Sequence, residues 1–382
     1  MASHLAIDFG AESGRVMRGT LEGGRVALQE IHRFPNGPVR ILDTLHWDVL
    51  RLFAEVKNGL RQSAAAHGAP RSVGVDTWGV DFGLLGRGLT LLGNPVHYRD
   101  PRTDGIPEAL FEVVPRREVF ERTGVQVMQI NSLYQLYAMS RAKSPILESA
   151  ERFLMIGDLF HFFLTGQAVA EMTNASTTQF FDPRAKVWSA PLLDKLGIPL
   201  RLLPPIVAPG AKIGTLLNSV REETGLPAVD VITPGTHDTA SAIAAVPADP
   251  GASFAYLSSG TWSLIGVESP EPVITDEAYA ANVTNEVGVG CITLLKNVMG
   301  LWLVQESCRT WAAAGQATPY DQVAPLALKA PAFRSLIDPD DPRFLKPGEM
   351  PEKFQACCRE TGQPVPEGRE AILRCILESL AL

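Results

Sequence analysis

Leu5-Ala6-Ile7-Asp8-Phe9-Gly10-Ala11-Glu12-Ser13-Gly14-Arg15 opens the chain with an apolar strand running into a turn of small residues. Such a turn lets backbone N–H groups and a hydroxyl come close to a phosphate chain, and a charged side chain at its edge can meet the phosphate or its metal. A second turn, Leu257-Ser258-Ser259-Gly260-Thr261-Trp262, repeats the arrangement far along the sequence. Two such turns on one chain point to a nucleotide held between two lobes. Neither is a Walker A loop, because G-x-x-x-x-G-K-[ST] occurs nowhere in the chain.

Around the first turn, residues 5–9, 14–20 and 26–33 read as three antiparallel strands in a meander. A helix follows over 47–66, with Leu50, Phe53, Ala54, Val56 and Leu60 as its apolar stripe, and Gly68 and Pro70 stop it. Ser72 to Thr77 returns as a buried strand, so the layer is α/β rather than a pure parallel array. Helical patterns dominate 107–165, with Asn131 or Ser132 as a cap and Gly166 as a stop. A strand at 229–233 then leads through Gly235-Thr236-His237-Asp238 into a helix over 240–246. After Pro247 to Gly251 the pattern restarts as strand, Gly turn and strand, a weak internal repeat of the kind duplication leaves. The lobe boundary is placed there. The helix over 367–382 ends on Leu380-Ala381-Leu382 without a closing signal, so the chain is expected to be C-terminally incomplete.

The 382 residues suffice for two cores, and no apolar run is long enough to cross a bilayer. A net charge of −8 with scattered Lys and Arg argues against nucleic acid and for a small-molecule ligand. The N-terminus enters a strand at His4 to Asp8 without the order of a secretory signal, so a cytoplasmic location is expected. Five Cys with no C-x-x-C pair suit a reducing compartment and disfavour zinc. Cys358 and Cys375 are able to bridge in principle, but reduced, packed thiols are expected.

Asp8, at the end of the first strand, offers a carboxylate to a hydrated Mg²⁺, although Asp also initiates turns without any ligand. Arg15 is placed to meet phosphate oxygens or to stand in solvent. Asp238 lies between a strand end and a helix N-terminus, where a carboxylate stays ionised; taken alone it also reads as a simple cap. His237 beside it suits a polyol hydrogen bond or a packed core. Asp76-Thr77-Trp78-Gly79-Val80-Asp81-Phe82 gathers polar groups and an indole at a strand-turn-strand corner, a mix that suits sugar recognition or a tight hairpin with a core Trp. Asn297, at its very start, and Gln305 go with a helix read over 298–308. Val287-Gly288-Val289-Gly290 is too short for a dinucleotide fingerprint.

Taken together, these segments with His97-Tyr98-Arg99-Asp100, Thr173 to Gln179, Thr236-His237-Asp238-Thr239-Ala240-Ser241-Ala242 and Leu295 to Trp302 resemble the FGGY carbohydrate kinases over the whole chain. The resemblance implies an actin-like, ribonuclease-H-like duplicated α/β fold of two lobes with an interlobe cleft. The first lobe, 1–246, would bind sugar and phosphate; the second, 247–382, would bind nucleotide and be incomplete. The Asp-Thr-Trp-Gly-Val-Asp-Phe and His-Asp-Thr-Ala-Ser runs imply the subgroup that phosphorylates L-rhamnulose at O1, rather than glycerol or xylulose kinases. By the same resemblance Ala11, Glu12, Ser13, Gly14 and Arg15 would hold the phosphates of ATP, with Thr261 at the γ-phosphate and Gln305 near the nucleotide. Gly79, His237, Asp238, Thr239 and Asn297 would line the sugar site, Asp238 would accept the proton, and Asp8 would hold Mg²⁺. Glu12 departs from the Ser that many relatives carry. A monomer with sugar and ATP as its partners is expected, with neither nucleic acid nor membrane. Two other readings are a catalytically silent sugar-binding fragment and an actin-like assembly ATPase, the latter disfavoured by Trp78 and His237.

Overall fold

Leu5, Ile7 and Phe9 alternate with His4, Ala6 and Asp8, and that period of two decides which face of the first strand is buried. The computed structural model describes residues 2–249 and 251–382. Strands β1 (Ser3–Phe9), β2 (Ser13–Glu22) and β3 (Arg25–Pro35) form the expected meander, antiparallel at both pairings. Helix α1 (Val49–His67) starts at Asp48, whose carboxylate accepts the Arg51 N–H at 3.2 Å, and Gly68 ends it at φ 73°. Gly59 of α1 lies so close to β2 that a Cβ would stand 2.4 Å from Val16 Cγ2. β4 (Ser72–Thr77) then runs parallel to β1.

Helix α2 (Ile156–Thr165), ended by Gly166, stacks Phe160 on Phe9 with ring centroids 4.4 Å apart. β5 (Lys212–Thr215) and β6 (Asp230–Ile232) complete a six-stranded sheet in the order β5-β6-β4-β1-β2-β3. β6 is parallel to β4, and α3 (Asp238–Ala244) follows it. The face carrying Leu5, Ile7 and Phe9 is buried, and the opposite face bears Asp8, Arg15 and Asp76. A second core in the same unit gathers Leu110, Val119, Leu133, Tyr134, Phe153 and Phe180. Asn131 precedes its helix, Ser132–Arg141, but does not cap it with its side chain, which bonds Gln126 and Gln179 instead.

The chain packs as two units, residues 1–254 with 267–295, and residues 255–266 with 296–382. A division at 246/247 would leave 267–295 with the second lobe, whereas these residues pack in the first unit. Asn285 explains why: its side chain reaches the Gly124 carbonyl at 3.0 Å and receives the Val273 N–H at 2.6 Å, while Val287 N–H donates to Ser176 Oγ at 2.9 Å. The second unit opens on β7 (Ala255–Ser259), the Gly260 turn and β8 (Trp262–Ser269), the strand-turn-strand order of the chain start. β9 (Thr284–Val287) pairs with β10 (Ile292–Met299), and Gly290 at φ 82° lies in the turn between them. Helices α4 (Trp302–Ala313), α5 (Met350–Glu360) and α6 (Gly368–Ala381) enclose Leu303, Phe344, Phe354, Leu373 and Ile376. Cys357, Cys358 and Cys375 are buried there, and all five cysteines are free thiols. Among the described residues no helix is long and apolar enough to cross a membrane.

Gly157 in the first turn of α2 has no room for a side chain, since a Cβ would lie 2.1 Å from Cγ2 of the buried Thr236. Gly157→Ala is therefore expected to destabilise the protein by about 1–3 kcal/mol despite its better helix propensity. A urea midpoint equal to or above wild type would show that the contact is relieved without cost.

Candidate active site

Register assembles the first part of the site. Asp8 of β1 stands opposite Arg15 of β2 and opposite Asp76 of β4, so three charged side chains form a row across adjacent strands on one face. Arg15 binds Asp8 twice, through Nε at 2.7 Å and Nη2 at 2.6 Å. Asp76 has no such partner. Burial, followed by the neighbouring Asp8 and Asp238 carboxylates, pushes its carboxyl well above the ordinary range.

Asp238 arrives from the parallel side of the sheet. Beyond β6 the chain runs beside the end of β4, where Thr77 bridges His237 and the Thr77 N–H donates to the Thr236 carbonyl at 2.9 Å. Glu171, fully buried, fixes this segment: its carboxylate accepts the Thr173 N–H at 3.0 Å, the Thr236 N–H at 2.9 Å and the Thr173 hydroxyl. Thr173 Oγ1 in turn accepts the His237 N–H at 3.1 Å. Asp238 is thereby held half-buried at the start of α3, with Oδ1 accepting the Thr239 N–H at 2.6 Å. The carboxylate thus satisfies one free donor of the helix and still faces the site. The expectation that the helix N-terminus keeps it ionised meets an opposing effect, because burial raises its pKa while His237 lowers it.

His237 sits between two carboxylates, with Nδ1 3.1 Å from Glu286 and Nε2 3.6 Å from Asp238. Burial drives its pKa down, but Glu286, with Asp238 and Glu171 behind it, offsets this and the net direction is upward.

The corner at 76–82 differs from its sequence reading. Phe82–Leu85 does not fold back on β4 but pairs antiparallel with Arg152–Met155. Trp78 is only 7% exposed and rests on Trp47 with centroids 4.2 Å apart, so its indole belongs to the core. Both indole N–H groups point at Asp81, Trp47 at 2.5 Å and Trp78 at 3.1 Å, and Gln135 Nε2 donates to its other oxygen at 3.1 Å. Burial lifts Asp81 to about 6. Gly79 is buried against Thr177, whose Oγ1 would be 3.0 Å from a Cβ.

The turn Gly10 to Ser13 is closed by the Gly10 N–H on the Ser13 carbonyl at 2.9 Å. Asn36 braces it, its N–H on the Glu12 carbonyl at 2.9 Å and its amide on the Gly10 carbonyl at 2.8 Å. Gly14 is required by space: a Cβ would lie 2.2 Å from the Phe34 ring. Ala11, Glu12 and Ser13 are half-exposed in this turn.

Thr261, Asn297 and Gln305 belong to the second unit. The Gly260 carbonyl accepts the Leu301 N–H at 2.8 Å and the Thr261 carbonyl accepts from Gly300 and Trp302 at 3.2 Å each, so the turn is clasped by the segment after β10. Asn297 is on β10 and not on a helix, which starts only at Trp302. The cause is Gly300, whose Cβ would meet the Gly260 oxygen at 2.7 Å: the chain must run flat against the turn before it can coil. Gln305 is on that helix, α4, and its Oε1 is buried with no hydrogen-bond partner.

Among the described residues no group of three or more His, Cys, Asp and Glu side chains forms a metal cage. A cation that keeps most of its water needs only one or two carboxylates, and the adjacent Asp8 and Asp76 fit that requirement. Glu286, Glu171 and Asn36 escaped the sequence reading. A polar Thr-Asn-Glu run on the fully buried strand β9 is the signal that would have marked Glu286.

The chain matches the model of the FGGY family of carbohydrate kinases, N-terminal domain, over residues 3–245 and the C-terminal domain over 255–382. It is 46% identical over 379 residues to the rhamnulokinase of Bacteroides thetaiotaomicron, covering 99% of this chain and 77% of that protein. It is 40% identical to the rhamnulokinase of Oceanobacillus iheyensis, covering 99% and 79%. Among solved structures, ligand-bound xylulose kinase from Lactobacillus acidophilus superposes with a TM-score of 0.75 at 18% identity, covering 100% of this chain and 76% of that one. The gluconate kinase of the same organism gives 0.75 at 17% identity, covering 99% and 76%. At such identity these two structures speak to the fold, and the two-lobed actin-like, ribonuclease-H-like class is theirs and this chain's alike.

Because the Asp76 pKa is raised in the folded state, ionised Asp76 costs stability above that pKa, and the cost vanishes below the unfolded value of 3.8. Asp76→Asn, measured with chelator and no divalent cation, should therefore raise Tm at neutral pH, and the gain should shrink as pH falls toward that value. A gain independent of pH, or a loss, would show that burial beside the Asp8 and Asp238 carboxylates does not penalise ionised Asp76.

Proposed function

The chain belongs to the FGGY family of carbohydrate kinases and is an ATP-dependent sugar kinase, and from that membership and the Asp238 geometry we propose that it transfers the γ-phosphoryl of ATP to O1 of L-rhamnulose, giving L-rhamnulose 1-phosphate and ADP. The observation that carries the proposal is the half-buried Asp238 carboxylate, held by the Glu171 network beside His237 at the end of the sheet. Similarity to two rhamnulokinases over 99% of the chain supports the choice of sugar.

In this reading Asp238 takes the O1 proton as O1 bonds to the γ-phosphorus and the bond from that phosphorus to the β-bridging oxygen breaks, leaving ADP. The raised pKa makes Asp238 a stronger base than an ordinary carboxylate once ionised. His237, Thr239, Gly79 and Asn297 are assigned to sugar hydroxyls. Ala11, Glu12, Ser13, Gly14 and Arg15 are assigned to the phosphates, with Thr261 at the γ-phosphate. Gln305, whose buried Oε1 lacks a partner, is assigned to the nucleotide. Asp8 would hold Mg²⁺ through its water shell, supplying positive charge to the phosphoryl oxygens. The five free thiols suit a reducing compartment, and we extend the proposal to a cytoplasmic location and a monomer.

ADP release that depends on L-rhamnulose tests the reading directly; calorimetric sugar binding without ADP release would replace it with a sugar-binding role. Asp238→Ala should lower kcat by about 10²–10⁴ while folding is kept. Unchanged turnover in the folded variant would remove Asp238 from the chemistry. The acid limb of kcat/KM should lie above the ordinary Asp value of 3.8, since a base with a raised pKa loses its ionised form at higher pH. A limb at or below that value would contradict the upward direction of the Asp238 pKa.

A further inference from the structure

Glu286 is a carboxylate at 6% exposure on the fully buried strand β9, and a buried charge is costly unless it is paired. Its pair is His237, with Oε2 3.1 Å from Nδ1. The strand leaves it no freedom. Glu286 is in register with Thr293, whose hydroxyl donates to the Glu286 carbonyl at 3.2 Å, and both sequence neighbours are pinned, Asn285 to Gly124 and Val273, Val287 to Ser176. The backbone of His237 is fixed independently by Thr173 and by the bridge to Thr77. The imidazole is thus held at both ends, and its remaining nitrogen is aimed at Asp238. At 3.6 Å that nitrogen is too far for a good hydrogen bond to Asp238 Oδ1, which already accepts the Thr239 N–H. Nε2 therefore keeps its capacity for a hydroxyl of the acceptor.

We propose that Glu286 is a positioning residue for phosphoryl transfer: by accepting the Nδ1–H of His237 it sets the imidazole plane and directs Nε2 toward Asp238 and the acceptor sugar. This rests on the reading of Asp238 as the base and of His237 as a sugar ligand. A carboxylate behind a histidine fixes which ring nitrogen carries the proton, so its removal frees both the tautomer and the ring angle. Glu286 is buried behind the imidazole, so its effect on the sugar passes through His237. Glu171, Asp8 and Asp76 are the other carboxylates whose charge reaches His237 or Asp238, and none of them bonds the imidazole.

The test compares Glu286→Ala with Glu286→Gln in the full chain. Alanine removes the acceptor and should lower kcat/KM for the sugar by about 10²-fold, the cost of a misplacement of roughly 1 Å, with KM for ATP unchanged. Glutamine keeps a neutral acceptor and should lose only about fivefold. Sugar kinetics equal to wild type in the alanine variant, or a loss shared equally by KM for ATP, would overturn the proposal. If the alanine variant does not fold, glutamine decides: unaltered sugar kinetics overturn it. The ¹⁵N shifts of the His237 ring supply a readout without turnover, with Nδ1 protonated in wild type and a tautomer mixture in the alanine variant; a ring that keeps wild-type shifts also overturns it. Absence of sugar-dependent ADP release in wild type would sink the kinase reading while the ring shifts still report on the Glu286 to His237 bond.

Discussion

The buried carboxylate of Glu171 is the point on which the arrangement of the first unit turns. It gathers the backbone of Thr173 and Thr236 and the hydroxyl of Thr173, and through that hydroxyl it reaches the backbone of His237. A buried carboxylate is tolerated only where donors surround it, so the requirement runs both ways: the segment must stay in place to satisfy Glu171, and Glu171 must stay to hold the segment. Asp158 extends the constraint by accepting the Glu171 N–H at 3.0 Å, itself raised well above the ordinary range by burial. The close approach of α2 through Gly157 belongs to the same packing, because Thr236 fills the space a side chain there would need.

From this constraint follows the electrostatic character of the site. Asp8, Asp76 and Asp238 face a common region although like charges repel, and only Asp8 has a guanidinium against it. That is an unfavourable way to fold a sheet edge and a favourable way to receive a cation and a proton. Function here is stored as strain in charge rather than in backbone, and the cost is offset by the cores on the opposite face, where Phe9, Phe34 and Phe160 pack together.

Much of the fold was legible because its signals are local. The alternation in β1, the stop at Gly68, the Gly166 end of α2 and the strand-turn-strand restart at 255–269 are each written in a few neighbouring residues. Trp78 stayed open between sugar and core because an indole looks alike in both; the bond to nearby Asp81 and the packing on Trp47, from far back in the chain, decide for the core. Asn297 was placed on a helix because an apolar stretch fits either period over a short run, and the close approach of Gly300 to the Gly260 turn lies outside any window. Asn36 had no local pattern at all, and the polar run around Glu286 does not say which side chain it meets.

Sequence alone fixed the residue types: the small-residue turns, the carboxylate at a helix start, and the runs that place the chain among carbohydrate kinases. Tertiary structure decided which of these residues meet. Asp8 faces Asp76 because β1 and β4 pair in parallel at one register, and a slip of one residue would turn the carboxylate of the slipped strand to the buried face and part the two. Asp238 joins them because Glu171 and Thr77 carry the loop to the strand end, and His237 is aimed because Glu286 arrives on a strand far along the chain. Register and long-range hydrogen bonding are properties of the folded chain, and no pattern of neighbouring residues contains them.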